Sequence, residues 1–478
     1  MILAACAALA PTPDAPGAEA PTFRAGAAIL DATPFLDDPI VGNFETPPAS
    51  YVHDPLHARA LVLDDGKARL AFVVVDSVGV SREVFDAARK LAAEKAGVPE
   101  ANILGAATHT HSGTSARPGD LVSPVAEPTA YQAFLARRIA DAIRLAAGNL
   151  APAQVGWGTL DAPEHVFNRR WRLRPGETVP SPLGGVELAL MNPGRNPKIL
   201  EPAGPTDPQV AFLAVRTPEG RPIAVLANYS LHYVGGVPAG HVSADYFAAF
   251  ARRLGDRLGV DPRHDPPFVG ILSNGTSGDV NNIDVKGAPP ATPPAPYAKM
   301  EAVADDLAGR VAEAYRGLAF RDEAPLAAAV RELPLKVRKP TPEQVAFARE
   351  VLAKPEDAPR HHPLERVFAD RTLRLADAPD EVSARLQAFR VGDLGVAAIP
   401  FEVFAETGLE IKARSPFKPT FTMELANGVY GYLPTPRHFE LGGYETWLGV
   451  NRVEPEAAPR IVAALLDLFA ELAKPAAP

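Results

Sequence analysis

The chain has 478 residues, 47% of them hydrophobic and 22% charged, a balance that excludes global disorder and leaves room for roughly two to four domains. Its 57 acidic residues against 48 basic ones give a net charge of −9, and acidity this diffuse excludes nucleic acid as the main partner, because phosphate binding needs a concentrated basic surface. The one cysteine rules out an intrachain disulfide framework and any thiolate metal cluster.

That cysteine is Cys6, in Leu3-Ala4-Ala5-Cys6, which is similar to the lipobox of bacterial lipoproteins, whose cysteine is lipidated. Ala8-Leu9-Ala10 also fits an A-x-A cleavage site, although no basic stretch precedes either motif. Residues 1–22 therefore read as the remnant of an export signal followed by a linker. The protein is expected to be exported: periplasmic, lipoprotein-anchored or secreted, with peripheral membrane association through a lipidated Cys6. No later run reaches the ~18 apolar residues of a transmembrane helix.

From residue 23 on, short apolar runs alternate with amphipathic segments. Residues 58–63 and 70–75 flank Asp64-Asp65-Gly66-Lys67 and read as a β-hairpin. A helix over 81–96 stops at Gly97-Val98-Pro99, a strand covers 103–107, and a helix covers 131–147. Strands at 210–215 and 223–229 flank a Pro-Glu-Gly turn. They are followed by a helix at 244–258, a strand at 268–273 and a helix at 300–315. Thr341-Pro342-Glu343-Gln344 resembles a capping box with proline at the first helical position. Strands at 386–390 and 396–399 and a helix at 457–472 complete the pattern, with no internal repeat. The fold class is α/β, with mixed β-sheets flanked by helices.

The strand at 103–107 runs directly into Thr108-His109-Thr110-His111-Ser112-Gly113. In extended backbone, residues i and i+2 share a face, so His109 and His111 converge on one site, and a histidine pair at a strand end suits zinc. A second strand ends in Ser230-Leu231-His232 and a third in Pro400-Phe401-Glu402. Singly, His232 reads as a core histidine and Glu402 as an acid at a helix start. Delivered together past the carboxyl ends of buried strands, they sit where α/β sheets place ligand sites. His53 and His57 precede a strand and are candidates to line a cleft. The loop 273–282, Ser-Asn-Gly-Thr-Ser-Gly-Asp-Val-Asn-Asn, carries glycines that let backbone N–H groups approach a substrate oxygen or anion. The tyrosines of 426–435 and of Gly443-Tyr444-Glu445 read equally as packing elements.

Taken together, these segments resemble the neutral/alkaline, non-lysosomal ceramidase family. The resemblance spans nearly the whole chain from Ala25. It rests on Asp54-Pro55-Leu56-His57-Ala58-Arg59, on Thr108-His109-Thr110-His111-Ser112-Gly113 and on Asn168-Arg169. It continues through the strand ending at His232, Val242-Ser243-Ala244-Asp245-Tyr246, Ser277-Gly278-Asp279-Val280, Pro400-Phe401-Glu402, and Ala426-Asn427 through Tyr444-Glu445. It implies one catalytic domain over 23–478 and a zinc-dependent amidase acting on an N-acyl lipid such as ceramide or a related small substrate. The implied zinc ligands are His109, His232, Glu402 and Tyr432. A zinc-activated water, its pKa lowered to about 7, would attack the amide carbonyl. His111 would shuttle protons or contact the tetrahedral intermediate, and Arg169 and Tyr444 would stabilise developing negative charge. Gly278 and Asp279 are expected to bind substrate.

Two departures stand out. The family carries Gly-Asp-Val-Ser-Pro-Asn, whereas here Asn281 occupies the serine's position, so a serine nucleophile is impossible there and Asn281 is left to donate or accept a hydrogen bond. The sequence ends at Pro478, soon after the tyrosine loop, so the C-terminal immunoglobulin-like domain of full-length ceramidases is expected to be missing. Both weaken ceramide as the substrate more than they weaken hydrolysis. The alternatives are a metal-dependent esterase or other hydrolase on the same site, and a non-catalytic exported lipoprotein that binds a lipid or glycan. A long apolar slot leading to His109 and Glu402 would favour a lipid amide; a shallow polar one would not.

Overall fold

The Asp64 and Asp65 carboxylates accept the backbone N–H groups of Gly66, Lys67 and Ala68, closing the turn between the antiparallel strands His57–Asp64 and Arg69–Val75. Helix Arg82–Ala96 follows. The Ser81 hydroxyl accepts from the Val84 N–H at its start, and a left-handed Gly97 ends it. The helix carries the chain to Ile103–Ala107, which lies parallel to Arg69–Val75. These elements belong to a computed structural model that describes residues 23–43, 45–117, 127–288 and 292–474. Cys6 and the rest of the expected export remnant, residues 1–22, lie outside the described residues.

This arrangement recurs. In the first sheet Arg24–Asp31 pairs with the hairpin, the hairpin's second strand leads through a helix to a parallel edge strand, and helix Ala130–Gly148 follows. In the second, Gln154–Asp161 pairs with the hairpin Gln209–Arg216 and Pro222–Tyr229; helix Asp245–Leu258 then leads to the parallel strand Val269–Asn274, and helix Ala298–Arg316 follows. In the third, Leu326–Lys336 pairs with the hairpin Glu381–Val391 and Leu394–Ala398; helix Ala405–Arg414 leads to the parallel strand Thr420–Met423, and helix Ala457–Ala473 closes the series. The same order of four strands and the same single parallel pair therefore appear in all three sheets, the first adding only the short edge strand Ala151–Pro152, an internal repeat of topology that the amino-acid pattern does not display.

The inner faces of the three sheets meet in one core that joins Phe72 and Leu104 of the first sheet, Leu213 and Ile271 of the second, and Phe389 and Phe421 of the third. Phe72 and Phe389 pack ring against ring at 5.2 Å across it. Each outer face is sealed by its own helices in a separate apolar cluster. Among the described residues no helix is long and apolar enough to cross a membrane.

The architecture has one consequence for function. A parallel pair points both carboxyl ends the same way, and the ends of all three pairs converge. Val78 and His109 follow the first pair, His232 and Ser277 the second, Glu402 and Glu424 the third.

Candidate metal centre

His109 lies two residues beyond its strand with φ 75°, a left-handed conformation uncommon for a side chain of this size. The turn aims its ring so that Nδ1 lies 2.6 Å from the Val78 carbonyl oxygen. His232 sets its Nδ1 3.1 Å from the Ser277 carbonyl oxygen. A carbonyl only accepts, so each Nδ1 carries the proton, and in the neutral ring Nε2 is then a bare lone pair. The two Nε2 atoms face each other at 2.9 Å, with no proton in that tautomer to share. His111 brings its own Nε2 to 3.2 Å from that of His109. Ligand atoms of all three histidines lie within 4.8 Å of one another, a group that could hold a metal ion.

Glu402 completes the convergence. Its Oε2 lies 3.4 Å from His109 Nε2 and 3.8 Å from His232 Nε2, is buried, and has no hydrogen-bond partner among the described residues. Burial raises this carboxyl, and the Tyr432 hydroxyl and the Arg169 guanidinium beside it favour its ionised form. Tyr432 stands beside it because Glu402–Val403 and Tyr432–Leu433 form a short parallel ladder in which Glu402 and Tyr432 are register partners. Lone pairs facing lone pairs, beside an unsatisfied carboxylate, are costly when buried and favourable around a cation, and the donor set of two or three imidazoles, a carboxylate and a phenol fits zinc.

Burial, with Arg169 nearby adding to it, pushes the His111 and His232 imidazoles well below the usual histidine range, so both are neutral near pH 7. The Tyr233 ring stacks on His111 at 3.8 Å, fixing its plane.

The support beneath the ligands is polar and satisfied. Glu424, fully buried, binds the Ser277 hydroxyl at 2.6 Å and accepts from the backbone N–H groups of Ser277 at 3.2 Å and Val403 at 2.7 Å. One carboxyl thus ties the loop behind His232 to the residue after Glu402. Arg169 extends along the other side, its guanidinium 5.2 Å from the Tyr432 ring, its Nε donating to Glu445 at 2.8 Å. Tyr444 packs edge-on to Tyr432 at 5.8 Å. A cavity of about 410 Å³ opens from this cluster, lined by His109, His111, Arg169, His232, Glu402 and Tyr432, with Tyr444 beside them.

The structure therefore brings together His109, His111, His232, Glu402, Tyr432, Tyr444 and Arg169. It does not bring Gly278, Asp279 or Asn281 to the cavity. Gly278 donates its N–H to the Val403 carbonyl at 2.8 Å, and a Cβ there would lie 2.6 Å from the Glu402 carbonyl oxygen, so the glycine serves close backbone approach rather than substrate binding. Asp279 is fully buried and spends its oxygens on the Ala405 N–H and the Asn168 amide. Asn281 donates to Asn192 at 2.6 Å, and it is Asn192 that lines the cavity. His53 stacks on Tyr297 and His57 approaches Arg59, both away from the centre. Glu424, Tyr233, Arg117 and Arg371 escaped the sequence reading, since none sits in a motif of ligand-type spacing.

The fold is neutral ceramidase-like. The structure of neutral ceramidase from Pseudomonas aeruginosa superposes with a TM-score of 0.66, covering 94% of this chain and 74% of that one at 18% identity. A structure of ceramidase complexed with C2 gives a TM-score of 0.68 over 94% of this chain and 75% of that one at 17% identity. No family model and no curated protein sequence matches the chain.

Proposed function

We propose that the chain is a zinc-dependent hydrolase that cleaves an amide bond in an N-acyl substrate. The observation that carries this reading is the meeting of two bare imidazole nitrogens and an unsatisfied carboxylate at the head of an open cavity. The likeness of fold to neutral ceramidases supports it. His109, His232 and Glu402 would hold the metal, with Tyr432 as a further ligand. Bound there, zinc supplies an activated water and polarises the carbonyl to be attacked.

The chain's own residues do the rest. Hydrolysis forms a C–O bond from water, breaks the C–N bond, and passes a proton to the leaving nitrogen, giving a carboxylic acid and an amine. His111, neutral and held flat by Tyr233, moves that proton. Arg169, with Nη2 lacking a hydrogen-bond partner, and Tyr444 offer donors to the oxygen on which charge develops. Asn281 keeps Asn192 in the wall and takes no covalent part.

Turnover of N-acyl substrates by purified protein tests the proposal. Glu402→Ala is expected to abolish it while circular dichroism stays unchanged. Turnover that survives this substitution contradicts the ligand assignment, and cleavage of esters alone redirects the reading to an esterase.

A further inference from the structure

The cavity lining runs against the charge of the chain. In a protein of net charge −9, Arg117, Arg169, Arg371 and Arg452 all line this one cavity, and Glu402 is the one carboxylate among its described lining residues. That carboxylate is turned toward the histidines and offsets none of the outer guanidinium groups.

Arg371 and Arg117 are held in place by contacts that leave their charge in the cavity. Arg371 lies over the Phe368 ring at 5.0 Å and packs its stem against Gly449. Arg452 flanks the same turn, donating from Nε to the Gly449 carbonyl at 3.2 Å. Arg117 stands near His111. No described carboxylate pairs with Arg371 or Arg117. At the base, Arg169 is only 5% exposed and shares Glu445 with Arg170. Filling such a cavity with a neutral amide would strip water from the guanidinium groups of Arg371 and Arg117 and give them no partner. Cationic walls in a cleft instead concentrate anions, and guanidinium is suited to carboxylate and phosphate.

Resting on the hydrolase reading, we infer that the substrate of this site is an N-acyl compound bearing an anionic group, a carboxylate or a phosphate, which the cavity's Arg371 and Arg117 recognise. A plain neutral lipid amide lacks that group.

Three compounds with the same scissile amide test this: N-decanoyl-ethanolamine, N-decanoyl-β-alanine and N-decanoyl-phosphoethanolamine. At least tenfold higher kcat/KM for one or both anionic compounds is expected, and the preferred one identifies carboxylate or phosphate. Arg371→Gln, or Arg117→Gln should the first variant fold poorly, is expected to bring the anionic-to-neutral ratio toward one. Equal or better turnover of the neutral compound overturns the inference, as does a variant that slows all three alike. Calorimetric titration of the same compounds covers the case of no hydrolysis. Anion-selective binding that is lost in Arg371→Gln would then uphold the inference while the amidase reading fails. Absent or unselective binding would overturn it.

Discussion

His109 and His232 point Nε2 at Nε2 across 2.9 Å while their Nδ1 atoms are committed to the carbonyls of Val78 and Ser277. The backbone ends of two different sheets thus set two lone pairs against each other, and a cation between them turns that repulsion into binding. Adding zinc to chelator-treated protein is therefore expected to raise its melting temperature by a few degrees. This corresponds to about 3 kcal/mol when the metal is present at ~100 times its Kd. Scanning calorimetry with and without chelator measures it; an unchanged melting temperature at saturating zinc contradicts the geometry's reading.

Glu424 ties the His232 side of the site to the Glu402 side. Burial is the largest influence on its carboxyl and holds it well above the usual range, and it accepts from the Ser277 hydroxyl and from the backbone N–H groups of Ser277 and Val403. Glutamine keeps an oxygen for the two backbone N–H groups and can donate to the Ser277 hydroxyl once that hydroxyl turns, whereas alanine leaves all three partners empty. Glu424→Gln should melt close to wild type, whereas Glu424→Ala should lose roughly 3 kcal/mol. Equal loss in both variants would show that the hydrogen bonds are not what Glu424 contributes.

Gly278→Ala is expected to destabilise the protein by roughly 2 kcal/mol and to slow turnover more than its stability loss accounts for. The added methyl would lie 2.6 Å from the Glu402 carbonyl oxygen and must push that strand out of register with Tyr432. Wild-type turnover in a folded variant would contradict the proposed close approach.

Much of this was legible in the amino-acid pattern, and the exceptions have physical causes. The hairpins and their following helices were readable because buried β-branched runs sit beside clear stops such as Gly97. The first strand of each sheet was not: Gln154–Asp161 carries two glycines, and Leu326–Lys336 alternates only weakly, with a half-exposed face of charged residues. His109, His232 and Glu402 were found as strand-end residues. Tyr432 was reachable only through family resemblance, because its place depends on a two-residue ladder with Glu402. The loop around Gly278 looked like an anion cradle in sequence, but its glycine is required by Glu402's backbone and its aspartate by Ala405 and Asn168. Arg371 and Arg117 carried no signal at all, since their meaning lies in a cavity wall assembled from distant segments.

Acid should weaken the fold partly through Glu406. Burial alone would raise its carboxyl, but hydrogen bonds from His438, Arg437 and Thr435 outweigh that and bring it down to about 2 from 4.5. A depressed carboxylate contributes stability above the unfolded value and loses it as pH falls through the folded one. On the order of 2–3 kcal/mol is therefore present above about pH 4.5 and disappears toward pH 2. Glu406→Gln should accordingly melt lower than wild type at pH 7, with the difference shrinking between pH 5 and pH 2. A difference that does not vary with pH contradicts the assignment.

Elemental analysis of the purified protein reads out directly whether His109, His232 and Glu402 hold a zinc ion, as proposed. About one zinc per chain is expected in the wild type, and a small fraction of that in His109→Ala and Glu402→Gln proteins with unchanged circular dichroism. Wild-type protein that binds no metal when offered zinc, or variants that retain the full complement, would contradict it.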